Sequence, residues 1–475
     1  LHNKVDTVST IVDVAVCPFK ELHPTEGFKK MAALTLPDYH VEDLDGHLVE
    51  AEIEDLGASF GYTLPKDKFR QPYIARQVRV TVPVHLAPLS WTTFQLLEGK
   101  APHHDGLFQN GVIDTPFVTL SIDDGLTLYD KTTNEAYEDF LRFEDRGDIG
   151  NEYIYFQPKG TEPIYAELTA YEVLENNARY AKILLKHDLT IPVSADEQLD
   201  AEQRGIIEFM NRKASRSEEL TTIPLETEMT VFVDDPQIRF KTRFTNTAKD
   251  HRIRLLVKTH NTRPSNDSES IYEVVTRPNK PAASWENPEN PQHQQAFVSL
   301  YDDVKGVTVA NKGLHEYEIL GDDTIAVTLL RASGELGDWG YFPTPEAQCL
   351  REFEVEYAVE CHQAQGRFSA FRRAKAFQVP FTALQVAKQE GSVAATGSLF
   401  NHPSLSLPQV CPTAFKVAEN EEGYVLRYYN MSQENVRVSD KQQTILDLLE
   451  RPYPVHSGLL APQEIRTELI KKEEI

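Results

Sequence analysis

Period-two alternation of apolar and polar residues is the feature that most constrains what this chain can fold into. It is clear at residues 78–86, 238–244 and 353–361, where successive side chains would point to opposite faces of a strand. Turn-forming pairs such as Asp124-Gly125 separate these runs at short intervals. Many short strands between frequent turns are typical of β-sandwiches. We therefore predict an all-β fold.

Helical patterns are sparse. Residues 200–213 and 444–451 have the composition of short helices, although Gly205 interrupts the first of them. Neither segment would change the all-β assignment.

The chain is too long for a single hydrophobic core, because 475 residues predict roughly two to four domains. A polar, turn-rich segment at residues 101–111 and a Gly-, Ser- and Pro-rich segment at 389–408 would serve as boundaries. We predict a small β-domain at residues 1–104 and a large central β-sandwich at 105–388. A linker and a small β-domain would follow at 389–475.

The charge balance excludes some classes of partner. Lys and Arg number 48 and Asp and Glu number 73, which gives a formal net charge of -25. An acidic chain repels phosphate backbones and anionic membrane surfaces, whereas neutral sugars remain compatible with it.

No apolar run is long enough to span a bilayer. The four cysteines are scattered and form no C-x-x-C pair, which favours reduced thiols and a cytoplasmic location.

Motifs that carry catalytic chemistry are missing from the sequence. His103, His104 and Asp105 are its only clustered metal-type ligands, and a solvated loop is the favoured interpretation because adjacent strand residues face opposite ways. There is no H-E-x-x-H, no phosphate-binding glycine loop and no G-x-S-x-G elbow. Acidic pairs are plentiful, but sequence cannot show the spacing of two glycosidase carboxylates. We predict no catalytic residue and no metal ligand.

One segment stands out as a candidate binding loop. Residues 143–160, FEDRGDIGNEYIYFQPKG, interleave charges, glycines and aromatic residues. Aromatic side chains on polar loops can stack on the apolar face of a sugar ring. In the alternative, the segment is a strand whose core residues Tyr153 and Tyr155 share one face while Phe156 lies on the other. Both interpretations stay open on the residues alone.

Several long motifs resemble bacterial family 38 glycoside hydrolases, which are α-mannosidases. LTLYDKTTNEAYEDFLRFEDRGDIGNEYIYFQP at residues 126–158 resembles the stretch that opens the large β-domain of these enzymes. Further similar segments follow in the family's order and cover nearly the whole chain. They are residues 244–259 (FTNTAKDHRIRLLVKT), 285–300, 307–320, 324–349 (with TLLRAS and PTPEAQC), 414–432 and 459–469.

The resemblance implies a specific fold and role. It implies a large supersandwich of the galactose-mutarotase type, flanked by smaller β-sandwich domains. Family members join such domains to an α/β barrel and a helical bundle, and the barrel carries zinc, an Asp nucleophile and the acid catalyst of a retaining mechanism. This chain would be the C-terminal half of a retaining α-mannosidase. Zinc or another divalent metal would sit in the parent's catalytic domain, none would bind this chain, and the chain alone would be inactive.

The implied partners are mannose-containing oligosaccharides or glycosides and the N-terminal catalytic half of the same protein. Neither nucleic acid nor membrane is expected, and a homo-oligomer stays open. The rival interpretations are a stand-alone carbohydrate-binding protein and a purely structural β-sandwich protein, both without catalysis.

Three substrate-binding residues follow from the resemblance. Relatives have an A-Y-[LI]-F motif whose tyrosine reaches the active site, and the matching stretch here makes Tyr153 the candidate, with Tyr155 as the alternative. Relatives also have an arginine in a D-x-R-G turn near the sugar. Here Lys312 keeps the positive charge but lacks the bidentate guanidinium.

Overall fold

The structure is a computed structural model of the 475-residue chain. It describes residues 2–101, 105–123, 125–282, 284, 290–337, 339–386, 396–420, 422–439, 444–454 and 458–472. Strands account for 51% and helices for 9%. The predicted all-β fold class is confirmed.

Residues 2–101 form two small antiparallel sheets with one helix packed beside them. Their elements are β1 (Lys4–Pro18), α1 (Pro24–Ala32), β2 (Tyr39–Asp43), β3 (Leu48–Val49), β4 (Glu52–Thr63), β5 (Gln71–Leu86), β6 (Ser90–Trp91) and β7 (Phe94–Glu98). The two sheets have the strand orders β1-β5-β4 and β3-β2-β7. The predicted alternation is confirmed in β5, which buries Val78, Val80, Val82 and Val84 against residues of both sheets.

The central part of the chain adds three sheets. Its first strands are β8 (Phe108–Gln109), β9 (Val112–Asp114), β10 (Val118–Ile122), β11 (Leu126–Asp130), β12 (Glu135–Tyr137), β13 (Leu141–Gly147), β14 (Ile164–Tyr165), β15 (Glu167–Asn176) and β16 (Tyr180–Pro192). Helix α2 (Gln198–Arg204) follows, and then β17 (Leu220–Phe232), β18 (Ile238–Thr245), β19 (His251–Lys258), β20 (Ser265–Ser270) and β21 (Glu273–Pro278). The last elements are β22 (Gln292–His293), β23 (Phe297–Tyr301), β24 (Lys305–Lys312), β25 (Glu316–Leu320), β26 (Thr324–Ala332), β27 (Glu352–Gln363) and α3 (Arg367–Phe377).

These three sheets share one hydrophobic core. A nine-stranded sheet has the order β15-β16-β17-β18-β27-β24-β23-β20-β21, and a six-stranded sheet has the order β14-β13-β19-β26-β25-β22. A five-stranded sheet, β12-β11-β10-β9-β8, contributes Leu120 and Leu128 to the same core. Alternate residues of the long strands supply the rest, as when Phe240 of β18 stacks on Tyr357 of β27 with ring centroids 5.3 Å apart.

Helix α3 joins the central sandwich to the last part of the chain. Its Phe371 stacks on Phe297 at 4.3 Å between ring centroids, and the same cluster contains Cys411 and Tyr429. The helix covers part of the outer face of the nine-stranded sheet. Ala358 and Glu360 of β27 are therefore buried, although the alternation of residues 353–361 predicts a solvated face there.

The last part of the chain forms a four-stranded sheet, β29-β30-β34-β32. Its elements are β28 (Gly397–Ser398), α4 (Pro403–Ser406), β29 (Val410–Val417), β30 (Gly423–Asn430), β31 (Val436–Arg437), β32 (Thr444–Leu446), β33 (Leu459–Leu460) and β34 (Ile465–Lys471). The helix predicted at residues 444–451 is wrong. Pairing of β32 with β34 buries Ile445 and Leu446, and Asp447 then closes a turn by accepting the backbone N–H of Arg451 at 2.9 Å.

The helix predicted at 200–213 is shorter than expected. Helix α2 ends at Arg204, as Gly205 suggests, and a separate 3-10 turn occupies Phe209–Asn211. The predicted domain boundaries at 104 and 388 fall outside the described residues and stay predictions.

Of the helices in the described ranges, none has both the length and the apolar character needed to cross a membrane.

Candidate functional site

Three connections meet at one end of the central sandwich. Loop A (residues 148–158) follows β13, loop B (196–213) connects β16 to β17 and includes α2, and loop C (333–349) connects β26 to β27. Loops A and C meet because β13 and β26 both pair with β19, with Gly147 and Ala332 opposite His251. Loop B reaches both of them through Arg212. Loop A contains the aromatic segment that the sequence singles out.

Loop A is shaped by its own polar side chains. The Asp148 carboxylate accepts the N–H groups of Gly150 at 2.9 Å and Phe156 at 3.1 Å. The Asn151 side chain accepts the N–H groups of Tyr153 at 3.0 Å and Ile154 at 2.9 Å. Such Asx turns replace a regular ladder of backbone hydrogen bonds, so the strand interpretation of this segment is wrong.

Two arginines brace loop A from outside. Arg212 of loop B donates to the carbonyl oxygens of Ile149 and Gly150, both at 2.8 Å, and pairs with Glu335 of loop C at 2.5 Å. Arg331, near the end of β26, donates to Asp148 at 2.8 Å and to the backbone carbonyls of residues 151 and 152. The Arg212–Glu335 pair is almost fully buried. Removing one partner of such a pair typically costs about 3–5 kcal/mol.

Tyr155 anchors loop A to a charged sheet face. The guanidinium carbon of Arg252 lies 3.5 Å from the centroid of the Tyr155 ring, and both residues are buried. Arg254, two residues along β19, pairs with Glu144 and with Glu318. Burial lowers the pKa of Arg254, but these two carboxylates outweigh it, so its pKa lies above the ordinary value.

Four carboxylates at this end, three buried and one partly buried, are engaged in internal contacts. Asp145 bonds His251 at 2.6 Å and lies 2.6 Å from Arg216. Asp250 accepts from Gln348, and burial raises its pKa. Asp148 pairs with Arg331 and Glu335 with Arg212, so each of these four carboxylates has an internal partner. The arrangement holds the loops and does not form an acid–base pair.

The structure places the three predicted substrate-binding residues in different surroundings. Tyr153, at the tip of loop A, has 63% of its surface exposed, whereas Tyr155 has 4%. Lys312 lies at the end of β24 on the outer face of the nine-stranded sheet, paired with Glu356 and with its Nζ 4.6 Å from the Phe377 ring centroid. Tyr153 and Tyr155 thus share a loop and Lys312 belongs to another cluster. Their contacts with a sugar stay predictions.

The metal-type ligands that cluster in the sequence are not the ones that the structure brings together. His103 and His104 lie outside the described residues. Within those ranges, Asp43, Asp45 and His47 form a group of three metal-type ligands, on the turn between β2 and β3. The Asp43 carboxylate already accepts the backbone N–H groups of Asp45 and His47 at 2.9 Å and bonds the His47 ring at 3.0 Å. The group is a hydrogen-bonded turn, and we derive no reaction step through a metal from it.

Sequence reasoning missed the residues that hold the site together. The sequence does contain a signal for Arg331, because a single arginine ends the otherwise apolar run TIAVTLLR just before loop C. A charged residue at the end of a buried strand is expected to have a partner. The sequence has no such signal for Arg212, because its partners in loops A and C lie 62 to 123 residues away.

Comparison with known proteins is consistent with this architecture. Residues 1–98 match the model described as glycosyl hydrolases family 38 C-terminal domain 1, and residues 113–335 match the model of the family 38 C-terminal domain. A putative mannosylglycerate hydrolase from Halalkalibacterium halodurans is 35% identical over 421 residues, which are 85% of this chain and 46% of that protein.

Two solved structures are similar over almost the whole chain. An α-mannosidase from Enterococcus faecalis V583 is 38% identical with a TM-score of 0.91, covering 99% of this chain and 55% of that one. A family 38 glycosyl hydrolase from Enterococcus faecalis is 36% identical with a TM-score of 0.88, covering 99% and 57%. The chain thus spans about half the length of these relatives. It belongs to glycoside hydrolase family 38, of which it is the C-terminal β-domain region.

Proposed function

We propose that this chain is the C-terminal half of a retaining α-mannosidase and that it supports a separate catalytic domain. The observation that carries the proposal is its similarity to the Enterococcus faecalis α-mannosidase over 99% of its residues, at a TM-score of 0.91. The buried carboxylates of Asp145, Asp148 and Glu335 beside the three loops are each paired with an arginine, which supports a role outside the chemistry. Zinc, or another divalent metal, would belong to the catalytic domain, as would the nucleophile and the acid.

In this proposal the chain contributes Tyr153 to the sugar-binding site. Its side chain is exposed while its backbone is fixed by Asn151, so the hydroxyl is presented from a preorganised turn. Tyr155 acts as a positioning residue by stacking on Arg252 beneath the loop. Lys312 stays a predicted sugar contact, although its ammonium is engaged with Glu356.

The experiment is Tyr153→Phe in the full-length parent. Loss of one hydrogen bond to an uncharged hydroxyl should lower kcat/KM on an aryl α-mannoside by roughly 2- to 13-fold, which corresponds to about 0.5–1.5 kcal/mol. The melting temperature should stay nearly constant, since the side chain is mostly exposed. An unchanged kcat/KM in a folded variant would remove Tyr153 from the site, and Tyr155→Phe is then the next variant to measure.

Hydrolysis of mannosylglycerate is a second candidate function. It is favoured by the 35% identity to a putative mannosylglycerate hydrolase across 85% of the chain. This substrate carries a carboxylate on its aglycone, which an aryl mannoside lacks. A kcat/KM of the parent that is higher for mannosylglycerate than for neutral α-mannosides would select this function over the first.

The two alternative functions without catalysis predict different binding of mannosides by the isolated chain. A stand-alone carbohydrate-binding protein would bind mannosides as an isolated chain in calorimetry, with no barrel encoded in the same reading frame. A purely structural protein would show no binding and no effect of Tyr153→Phe. A cytoplasmic location remains part of the proposal and can be checked by fractionation of the native cells.

A further inference from the structure

Exposed apolar side chains lie on all three loops at the end of the sandwich. Their exposed fractions are 63% for Tyr153 in loop A, 56% for Ile206 and 40% for Ile207 in loop B, and 83% for Trp339 and 43% for Phe342 in loop C. Single exposed apolar residues are ordinary, but several on adjoining loops mark a surface that binds something. We call these five residues the apolar end.

Buried hydrogen bonds fix the backbone of the three loops that carry the apolar end. One guanidinium, that of Arg212, connects all three loops: it bonds the Ile207 carbonyl at 3.1 Å, the Ile149 and Gly150 carbonyls at 2.8 Å and the Glu335 carboxylate. The Glu335 carbonyl in turn accepts the N–H of Glu152 at 2.9 Å.

Loops B and C also touch directly. The Arg204 guanidinium lies 5.2 Å from the Tyr341 ring centroid. Because the buried bonds fix the backbone of all three loops, the apolar side chains cannot turn inward together. A surface that is both apolar and preorganised is suited to association at low entropic cost.

We infer that the apolar end is the docking surface for the remaining half of the parent polypeptide. The inference rests on the proposed function, which sets Tyr153 against the sugar held by the catalytic half. The side chains around Tyr153 must then face the same half. The relatives supply an occupant of suitable size, because the matched region is only 46% and 55% of their lengths.

The composition of the surface agrees with a protein partner. Its aromatic and aliphatic residues share the three loops with the exposed charged residues Glu152, Arg204 and Glu208. Protein interfaces likewise combine exposed aromatic and aliphatic residues with charged ones. A sugar site would need several convergent polar groups, and the polar side chains Asp148, Arg212 and Glu335 are instead buried beneath the loops.

The test compares Trp339→Ser in two polypeptides, the 475-residue chain and the full-length parent. Val304→Ser is the matched control, because Val304 is 70% exposed but lies in the turn between β23 and β24, at the opposite end of the sandwich. Trp339→Ser should leave the melting temperature of the 475-residue chain unchanged and lower that of the parent by several degrees. Val304→Ser should change neither melting temperature.

Hydroxyl-radical footprinting gives a second measurement that needs no variant. Trp339 should be oxidised severalfold more slowly in the parent than in the 475-residue chain, and Val304 equally in both. Equal oxidation of Trp339 would overturn the inference. So would protection of Trp339 that appears only when a mannoside is added, or only in a dimer identified by light scattering.

Failure of this inference can be told apart from failure of the proposed function. A parent that hydrolyses aryl α-mannosides while Trp339 remains fully oxidised refutes the docking surface alone. A parent that protects Trp339 but hydrolyses no mannoside refutes the proposed function and supports the docking surface.

Discussion

At the scale of single residues, His187 is a buried titratable group with a definite pH signature. It lies on β16 inside the sandwich, with its ring 5.2 Å from the Phe143 ring in an edge-on contact. Burial lowers its pKa from 6.5 to about 4. The folded protein therefore resists protonating a group that the unfolded chain protonates readily.

His187→Leu should consequently remove part of the acid sensitivity of folding. The native pKa is below the unfolded value, so the stability that His187 contributes is present above pH 6.5 and is lost as the pH falls from 6.5 to about 4. The full loss is on the order of 3 kcal/mol. In urea unfolding at pH 7.5, 5.5 and 4.5, the free energy of unfolding of the variant should rise relative to that of the wild-type chain at each lower pH. A constant difference between the two across this range would contradict the argument.

At the scale of elements, loop A depends on a glycine at position 150. A Cβ there would lie 2.0 Å from the carbonyl oxygen of Ile154 and 2.9 Å from the backbone nitrogen of Phe156. Both atoms belong to the turn itself, so no side-chain rotation relieves the clash. The turn that presents Tyr153 therefore requires a residue without a side chain.

Gly150→Ala should destabilise the chain by about 1–3 kcal/mol through the forced backbone shift. In the parent it should also lower kcat/KM, because Tyr153 moves with the turn. Gly366→Ala is the control: the nearest atom to its added Cβ is 4.0 Å away and its φ is -82°, so alanine fits. Equal unfolding midpoints in urea for both variants would show that the turn adapts more easily than its geometry indicates.

The elements also show what the sequence could and could not predict. Strand β5 follows its alternating valines because one face packs on a core and the other meets solvent. Strand β32 was not predicted, because its partner β34 is not adjacent in the sequence and the local composition favours a helix. Loop A was identified as a candidate from its composition, but the separate surroundings of Tyr153 and Tyr155 depend on Arg252, about 100 residues further along.

At the scale of the whole molecule, a chain of net charge -25 folds so that its three central sheets share one large core, which α3 joins to the last part of the chain. The family could be identified from motifs in order, whereas the arginine network beneath the three loops could not, because its contacts are long-range. The molecule carries a preorganised surface that includes Tyr153, and the buried carboxylates of Asp145, Asp148 and Glu335 beside it are paired with arginines.

The most direct test of this account measures hydrolysis of an aryl α-mannoside by the 475-residue chain and by the full-length parent under identical conditions. The account predicts turnover by the parent, lost on chelation and restored by a divalent metal, and none by the chain alone. Sustained turnover by the purified chain, surviving controls for contaminating mannosidase, would contradict the claim that it is the non-catalytic half.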